Sequence, residues 1–423
     1  MKFFPFLKSK KTQPATQAAT PNNSNWIPEN LMSTLGFLSR SKSGVDVTEQ
    51  TALYTSAVFA CQRAISESLA MLPRNIFEST ADGGRDKVYD HPSVKVLTAQ
   101  ANRLQTSYKF FETLQHHVLS SGNGYAELQF QRQTGKVVAM WPLPPHRVKP
   151  RVIEASGELN LIYEVTTPKG EPVYLPMERV LHIPGIGFDG VQGYPLIHYM
   201  VNAIGLGQAV EEYYSKFFEQ GANMPGYITV PEGLSEEQLK NMRQHYNLMN
   251  EGLANAHRAR FLYESAKFTP AGATAEQSQL IQSRVFQIQE VARFYRIPLH
   301  KIQEVSRTVG YNSLEQFNIE FVTDTLLPWI TNWEQEINRK FFVESKDSNK
   351  FVKFNANALL RGDAGARANF YRTMVFSGIM TRNEARALED LPPVDGGDEM
   401  IIPLSMGAGQ SDRRLDANER IQD

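Results

Sequence analysis

Six residues near the middle of the sequence have a spacing that can bind a phosphate. Gly185–Gly190 (GIGFDG) matches the pattern G-x-G-x-x-G and follows a predicted strand. A phosphate-cradling turn requires a helix that opens within the loop, but the next helical pattern starts near Pro195. No acidic ribose ligand follows at a strand end, because Glu211 and Glu212 lie in a predicted helix. A loop between domains is the favoured interpretation, and a nucleotide-dependent nucleic-acid enzyme is the alternative.

Other residues that could take part in catalysis or metal binding are scattered along the sequence. His116 and His117 are adjacent, so a helix directs them to different faces and they are a poor metal pair. No G-x-S-x-G or Walker A sequence is present. The acids near Gly396 are compatible with a cation site, although a solvated turn is favoured: Asp390, Asp395, Asp398 and Glu399. The sequence therefore predicts no catalytic residues, no cofactor and no metal, which favours a role in assembly.

Charge and composition exclude several classes of protein. The 423 residues include 44 basic and 45 acidic side chains, so the net charge of −1 lacks the basic excess of proteins that grip nucleic acid. Hydrophobic content of 41% fits a soluble globular protein of two or three domains. The single cysteine, Cys61, lies in an apolar helical pattern and predicts a reducing compartment. We expect no signal peptide and no membrane span.

The stretch from Ala273 to Phe342 organises the rest of the chain. A capping box at Thr274–Gln277 starts a helix whose apolar stripe includes Tyr295, and Pro298 ends it. A second capping box at Ser313–Gln316 starts a long helix. Pro328 lies inside this second helix and is predicted to kink it. Between the two helices the polar segment 304–312 is predicted to be an exposed loop.

The segments around this stretch predict an α+β protein. The N-terminal part has helices over Thr51–Leu72 and Ser107–Ser120, and a further helix runs from Tyr194 to Glu219 with Gly205 and Gly207 inside it. Short patterns separated by turn residues predict a mainly antiparallel sheet: Arg74–Glu78, Tyr125–Gln131, Val137–Trp141, Val148–Ile153, Leu161–Val165, Val173–Tyr174 and Val180–Ile183. Later elements are strands at Gly226–Val230, Arg260–Tyr263, Lys267–Thr269 and Phe351–Phe354, with helices after Ser235–Gln238 and over Arg367–Ser377 and Arg382–Asp390.

A set of short segments, taken in order, resembles one protein family. The sequence is similar to the portal (head–tail connector) proteins of tailed bacteriophages of the siphovirus type, over about residues 45–403. No single motif is decisive, but the ordered set is specific. Its members are Ala52–Cys61 with Leu72-Pro73, Ser121–Tyr125, Trp141–Pro145, Gly193–Leu196, Phe218–Ala222, Asn312–Gln316, Thr325–Trp329, Leu359–Asp363 and Asn383–Arg386.

The resemblance implies a division of the chain into the parts of a portal subunit. These are a mixed α/β wing, a helical stem, a small α/β clip, a long kinked wing helix and a short helical crown. The expected boundaries are a disordered tail (1–26), wing (27–193), stem helix 1 (194–222), clip (223–272), stem helix 2 (273–303), tunnel loop (304–312), wing (313–358), crown (359–398) and C-terminal tail (399–423).

The resemblance also implies the function and its partners. Twelve copies are expected to form a ring at one capsid vertex, and double-stranded DNA passes through it during packaging and ejection without sequence specificity. Terminase and then a head–tail adaptor are expected to dock on the ring, which also meets the major capsid or scaffolding protein. The expected location is the virion, after assembly in the host cytoplasm. The residues implied at the narrowest point of the channel are Val305, Ser306, Arg307, Thr308, Val309, Gly310 and Tyr311.

The residues themselves agree with this family in one respect. A channel through which DNA slides should lack rows of cations that trap phosphates, and the near-neutral chain with a Gln-rich second stem helix meets that need. Arg307 is the exception to this lack of channel cations. It either contacts the DNA backbone or forms an ion pair with an acid such as Glu304. A monomeric adaptor that binds a protein through residues 223–272 is a third hypothesis.

Overall fold

The structure is a computed structural model of the whole chain. It describes residues 40–155, 158–187, 190–219, 226–229, 235–237, 240–241, 244, 267–270, 277–303, 311–342, 347–359, 364–389 and 391–401. The chain contacts divide it into two units. The larger consists of Met1–Val309 and Glu320–Asn355, and the smaller of Gly310–Ile319 and Ala356–Asp423. The predicted tails at 1–26 and from Ser405 lie outside the described residues.

The larger unit begins with helices that the sequence pattern merged into one. The predicted helix over Thr51–Leu72 is instead two helices, α1 (Glu49–Ala52) and α2 (Ser56–Met71). The Thr48 hydroxyl accepts from the Thr51 N–H in a capping box, which starts α1 upstream of the predicted helix, and residues 53–55 separate α1 from α2. Next come α3 (Ser93–Thr98) and α4 (Ser107–Ser121). Gly122 ends α4 at φ 78°, a conformation that favours glycine.

The sequence predicted one mainly antiparallel sheet, whereas the described residues form four small antiparallel sheets, in which every strand predicted within those residues is present. The strands are β1 (Arg74–Ser79), β2 (Arg85–Val88), β3 (Asn123–Phe130), β4 (Val137–Leu143), β5 (Val148–Ala155), β6 (Glu158–Thr166), β7 (Pro172–Pro176), β8 (Val180–Pro184), β9 (Gly226–Thr229), β10 (Lys267–Pro270) and β11 (Lys350–Phe354). Sheet order is β11-β1-β2, β4-β3-β8, β5-β6-β7 and β10-β9. The predicted strand Phe351–Phe354 thus returns to the first sheet, with Phe354 opposite Arg74 of β1.

The predicted helix from Tyr194 is also interrupted. Its residues form α5 (Leu196–Tyr199) and α6 (Val201–Glu219), which meet at Met200. Pro195 is the N-cap of α5 with ψ 120°, and it does not occupy the first helical turn as predicted. The predicted strand Arg260–Tyr263 lies outside the described residues. Of the capping box Ser235–Gln238, only Ser235–Glu237 are described, with Glu236 and Glu237 helical.

The central stretch contains the predicted helices with shifted starts. Helix α7 covers Gln277–Tyr295, and its predicted cap Thr274 lies outside the described residues. The second helical stretch consists of α8 (Tyr311–Glu320), a π-helix (Phe321–Leu326) and α9 (Leu327–Phe341). Ser313 is therefore inside α8 and does not cap it. Pro328 falls in the first turn of α9, where the hydrogen-bond pattern changes from π to α and a missing N–H costs least.

The core of the larger unit lies around α9. Trp333 is fully buried, and its ring centroid is 4.8 Å from that of Phe111 on α4. In the smaller unit, α10 (Ala364–Phe376) and α11 (Arg382–Leu388) match the two predicted C-terminal helices. Thr381 and Glu384 form a capping box at the start of α11.

Candidate channel segment and its anchors

The predicted channel residues border the described part of the chain. Val305, Ser306, Arg307, Thr308, Val309 and Gly310 lie outside the described residues, as does Glu304. Tyr311 is the first residue of α8. The candidate site is therefore defined here by the elements that lead into the segment and by what holds them.

The chain between α7 and this segment has an unusual backbone. Arg296 and Gln303 adopt φ of 54° and 61°, a left-handed conformation that costs a non-glycine residue about 1 kcal/mol. Between them lies a short 3₁₀ helix, Leu299–Ile302. Such strain persists only where surrounding contacts fix it. Two contacts from the π-helix do so: the Thr325 hydroxyl donates to the carbonyl of Arg296, and the Lys301 ammonium lies 5.0 Å from the ring centroid of Phe321.

A buried chain of hydrogen bonds anchors the end of α7. The Gln62 amide on α2 donates to the Tyr295 hydroxyl at 2.8 Å, and the Ser120 hydroxyl on α4 donates to Gln62 Oε1 at 3.0 Å. All three side chains are buried, and burial raises the pKa of Tyr295. Because a buried polar group without a partner is costly, the chain permits essentially one placement of α7 against α2 and α4.

A second buried bond anchors α9 to the same helix. The indole N–H of Trp333 donates to Gln115 Oε1 on α4 at 2.8 Å, and both residues are fully buried. Asn332, one residue earlier, donates to the carbonyl of Pro184 at the end of β8 at 2.7 Å. Helices α7 and α9 are thus both fixed to α4 or its neighbours; α7 precedes the predicted channel segment, and α9 follows it after α8 and the π-helix.

The two predicted stem helices lie side by side. Gly207 on α6 faces α7 so closely that a Cβ there would lie 3.1 Å from Gln287 Oε1. This supports the interpretation that glycine permits close helix contact. Arg284 on α7 and Glu211 on α6 form an exposed ion pair at 3.3 Å, which contributes little stability on its own. Gly205 instead faces Ser41, which a Cβ would approach to 2.3 Å.

The glycines of the Gly185–Gly190 loop serve local packing. Gly185 N–H donates to the Gly122 carbonyl at 2.8 Å, and a Cβ at Gly187 would lie 1.9 Å from the Gln192 carbonyl. The chain's own backbone therefore fills the space that a phosphate would need at these two glycines. The next helix is α5, six residues beyond Gly190. The nucleotide-dependent enzyme is accordingly not supported.

A buried cluster that the sequence analysis missed holds this loop in place. Asn123 Oδ1 accepts from the Gly193 N–H at 2.8 Å, and its Nδ2 donates to the Gly193 carbonyl at 2.6 Å. His182 Nε2 lies 3.0 Å from Asn123 Oδ1, and its Nδ1 lies 3.1 Å from the Tyr163 hydroxyl. Burial lowers the pKa of His182 to about 3, so it is neutral. The only sequence signal that could have indicated this cluster is His182, an isolated histidine in a predicted strand.

The other candidate residues from the sequence analysis are a histidine, a cysteine and a set of acids. His117 is half-buried and burial lowers its pKa to about 4, while burial raises the pKa of the Cys61 thiol to about 12. Among the described residues, no group of His, Cys, Asp or Glu is arranged to hold a metal ion, and Asp390 lies outside them. No described helix is long and apolar enough to cross a membrane.

Comparison with known sequences identifies relatives over most of the chain. Residues 56–390 match the model of the family described as "Phage portal protein". A protein of Streptomyces phage phiC31 named "Probable portal protein" is 33% identical over 378 residues, which cover 86% of this chain and 81% of the relative. The "Portal protein" of Enterobacteria phage HK97 is 29% identical, over 83% of this chain and 82% of the relative.

Solved structures share the fold. A chain from the neck of a native gene transfer agent particle, computed with C12 symmetry, aligns with a TM-score of 0.55 at 18% identity, over 88% of this chain and 96% of its own. An HK97-family phage portal protein from Corynebacterium diphtheriae aligns with a TM-score of 0.52 at 17% identity, over 73% of this chain and 95% of its own. At these identities the likeness establishes the α+β portal fold.

Proposed function

The chain belongs to the phage portal protein family and so has a portal function, and we propose that twelve copies form the ring through which one virion's double-stranded DNA enters and leaves. The number twelve is supported by the C12 symmetry of the gene transfer agent neck that shares the fold. The balance of 44 basic against 45 acidic residues suits a channel in which DNA slides, because bound phosphates would slow it. The role is structural, and no catalytic step is assigned to the chain.

We propose the portal division of the chain on the basis of its element order. The wing is 27–193 with 313–358, and the larger unit contains all of it except residues 313–319 and 356–358. The paired helices α6 and α7 supply the stem, 194–222 and 273–303. The antiparallel pair β9 and β10 belongs to the clip, 223–272. Helices α10 and α11 of the smaller unit are the crown, 359–398.

The observation that carries the tunnel-loop assignment is the double anchoring around residues 304–312. Tyr295 is bonded to Gln62 before the loop, and Trp333 is bonded to Gln115 after it. A loop that meets moving DNA needs rigid supports, because otherwise the force on it would deform the subunit. Buried hydrogen bonds on both sides, with the strained Arg296 between α7 and the loop, provide such supports.

The partners follow from the same division. Terminase during packaging, and later the head–tail adaptor, are proposed to dock on residues 223–272, while the wing meets the major capsid or scaffolding protein. The virion neck is the proposed location, after assembly in the host cytoplasm.

Removal of the loop tests the assignment. Deletion of Val305–Tyr311 should leave ring assembly intact, seen as rings with a central hole by negative-stain microscopy, while packaged DNA is lost. The matched control deletes Pro168 and Lys169 from the exposed turn between β6 and β7, which leaves three residues to close the hairpin, and should package normally. Normal packaging by the Val305–Tyr311 deletion would refute the tunnel loop, and a persistent monomer of the wild-type chain within proheads would refute the ring.

A substitution of Arg307 tests whether its charge touches DNA. If it does, Arg307→Gln should change the salt dependence of DNA retention, whereas Arg307→Lys should preserve it. If Arg307 instead pairs with Glu304, Glu304→Gln should produce the same effect as Arg307→Gln.

A further inference from the structure

A cavity lies between the first sheet and helix α3. Its volume is about 210 Å³, and strands β1 and β2 form one wall. The lining residues are Arg74, Asn75, Ile76, Lys87, Val88, Tyr89, Val94, Leu97 and Thr98. None of these side chains is acidic.

Arg74 is a buried cation at this cavity, with 6% of its surface exposed. Its Nε donates to the Leu97 carbonyl at 3.0 Å and its Nη1 to the Ala70 carbonyl at 3.1 Å. These carbonyls lie in the last turns of α3 and α2, whose dipoles offset part of the charge. The guanidinium also lies 4.1 Å from the ring centroid of Phe111.

What Arg74 lacks is an anion. Within the described part of the chain, no carboxylate lies within 4.0 Å of Arg74, and its Nη2 has no hydrogen-bond acceptor. Burial lowers the pKa of Arg74 to about 10, with no contribution from a nearby acid. A buried guanidinium is normally paired, because desolvation of an isolated charge is costly.

A second cation stands at the same cavity. The Lys87 ammonium lies 5.0 Å from the ring centroid of Tyr89, a side chain that is 73% exposed. Lys87 makes no ion pair with any described residue. The remaining wall is aliphatic, from Ile76, Val88, Val94 and Leu97. Lys87 is exposed and lies on the face of the sheet opposite to Ile76 and Val88, so the cavity combines one buried cation, Arg74, with an apolar lining.

We propose that this cavity is a binding site for an aliphatic carboxylate, whose anion meets Arg74 Nη2 while its stem covers the aliphatic wall. A guanidinium presents planar donors that match a carboxylate. Inorganic phosphate is a poorer fit, since it has no apolar stem to replace water at the aliphatic wall. The carboxylate is either a free small anion or the side chain of an acidic protein segment. This site does not depend on the portal function proposed above.

Ligand-observed NMR with the assembled full-length protein tests the site. At pH 7 the probes are butyrate, butyramide, inorganic phosphate and the peptide acetyl-Ala-Glu-Ala-amide, each at the same ionic strength. Butyrate should bind at least tenfold more tightly than butyramide or phosphate. A free anion as the natural ligand predicts that butyrate binds and the peptide does not, whereas an acidic segment predicts that the peptide binds at least as tightly.

Variants locate the binding in the cavity. Val94→Phe, which fills the cavity without a change of charge, should abolish butyrate binding. Lys95→Gln is the matched control, because it removes an exposed cation of the same helix that does not line the cavity. Arg74→Lys should also abolish binding, but Val94→Phe keeps the test valid if that variant does not fold. Equal binding of butyrate and butyramide, or unchanged binding by Val94→Phe, would overturn the proposal.

Discussion

Gln62 and Tyr295 are 233 positions apart in the sequence, yet the Gln62 amide donates to the Tyr295 hydroxyl at 2.8 Å in a buried site. This bond joins α2 of the predicted wing to the end of α7, just before the predicted channel segment. Ser120 completes the connection by donating to the other end of the Gln62 amide. A polar bond in an apolar core thereby fixes the position from which the channel segment starts.

Removal of the Tyr295 hydroxyl should destabilise the fold by about 1–3 kcal/mol, because Tyr295→Phe leaves the buried Gln62 amide unsatisfied. The measurement is the free energy of unfolding from urea titration of the isolated chain. Tyr125→Phe on β3 is a control for loss of a buried hydroxyl at another site. In a double-mutant cycle with Gln62→Leu, the two changes should be strongly non-additive. Additive effects would mean that the bond contributes nothing.

A methyl group at Gly193 should prevent native packing around the Gly185–Gly190 loop. A Cβ there would lie 2.0 Å from the Gly122 carbonyl, and backbone cannot move aside as a side chain can. We expect Gly193→Ala to lose at least about 3 kcal/mol or to be insoluble, since overpacking alone costs about 1–3 kcal/mol.

The matched control for that change is Gly207→Ala on α6. Its Cβ would meet only the flexible end of Gln287, and alanine favours a helix over glycine by about 1 kcal/mol. This variant should be neutral or slightly more stable, as judged by its midpoint of thermal unfolding. A Gly193→Ala variant as stable as Gly207→Ala would contradict the packing described here.

Acid should destabilise the larger unit through its buried histidines. Burial lowers the pKa of His117 to about 4, whereas the unfolded chain protonates near 6.5. Between these values the unfolded state binds more protons, so stability is lost as the pH falls through that window. For His117 the loss between pH 7.5 and pH 5 is about 2 kcal/mol.

His117→Leu isolates this effect. His117 Nδ1 has no hydrogen-bond partner among the described residues, so leucine should cost little at pH 7.5 and reduce the loss of thermal stability at pH 5. The half-buried neighbour His116 provides the comparison, since His116→Leu should reduce the loss less. An unchanged difference between pH 7.5 and pH 5 in His117→Leu would exclude His117 as the source.

Loss of the N-terminal cap of α11 should destabilise this helix of the smaller unit. Thr381 Oγ1 accepts from the Glu384 N–H at 3.2 Å, and Glu384 accepts from the Thr381 N–H at 2.8 Å. Thr381→Ala should cost about 1 kcal/mol and raise amide hydrogen exchange in α11. Thr373→Ala, in the exposed interior of α10, is the control and should leave exchange in α11 unchanged.

The sequence by itself determined the family, the α+β class and most elements, because period-2 and period-3.6 apolar patterns and turn residues are local properties. It predicted the strand β11 and the two C-terminal helices correctly. It missed the breaks at Thr55 and Met200, because it predicted one continuous helix over Thr51–Leu72 and one over Tyr194–Glu219. It also placed the first helical residue of α8 at Leu314, after the capping pattern Ser313–Gln316, whereas the helix begins three residues earlier at Tyr311.

Only the tertiary structure decided which polar residues meet. Gln62 with Tyr295, Gln115 with Trp333 and Asn123 with Gly193 are each far apart along the chain, and nothing in their local sequence marks them as partners. The same holds for the cavity at Arg74, whose cation is buried only because α3 packs on the first sheet. Local patterns specify helices and strands, whereas long-range packing determines where their buried polar groups find partners.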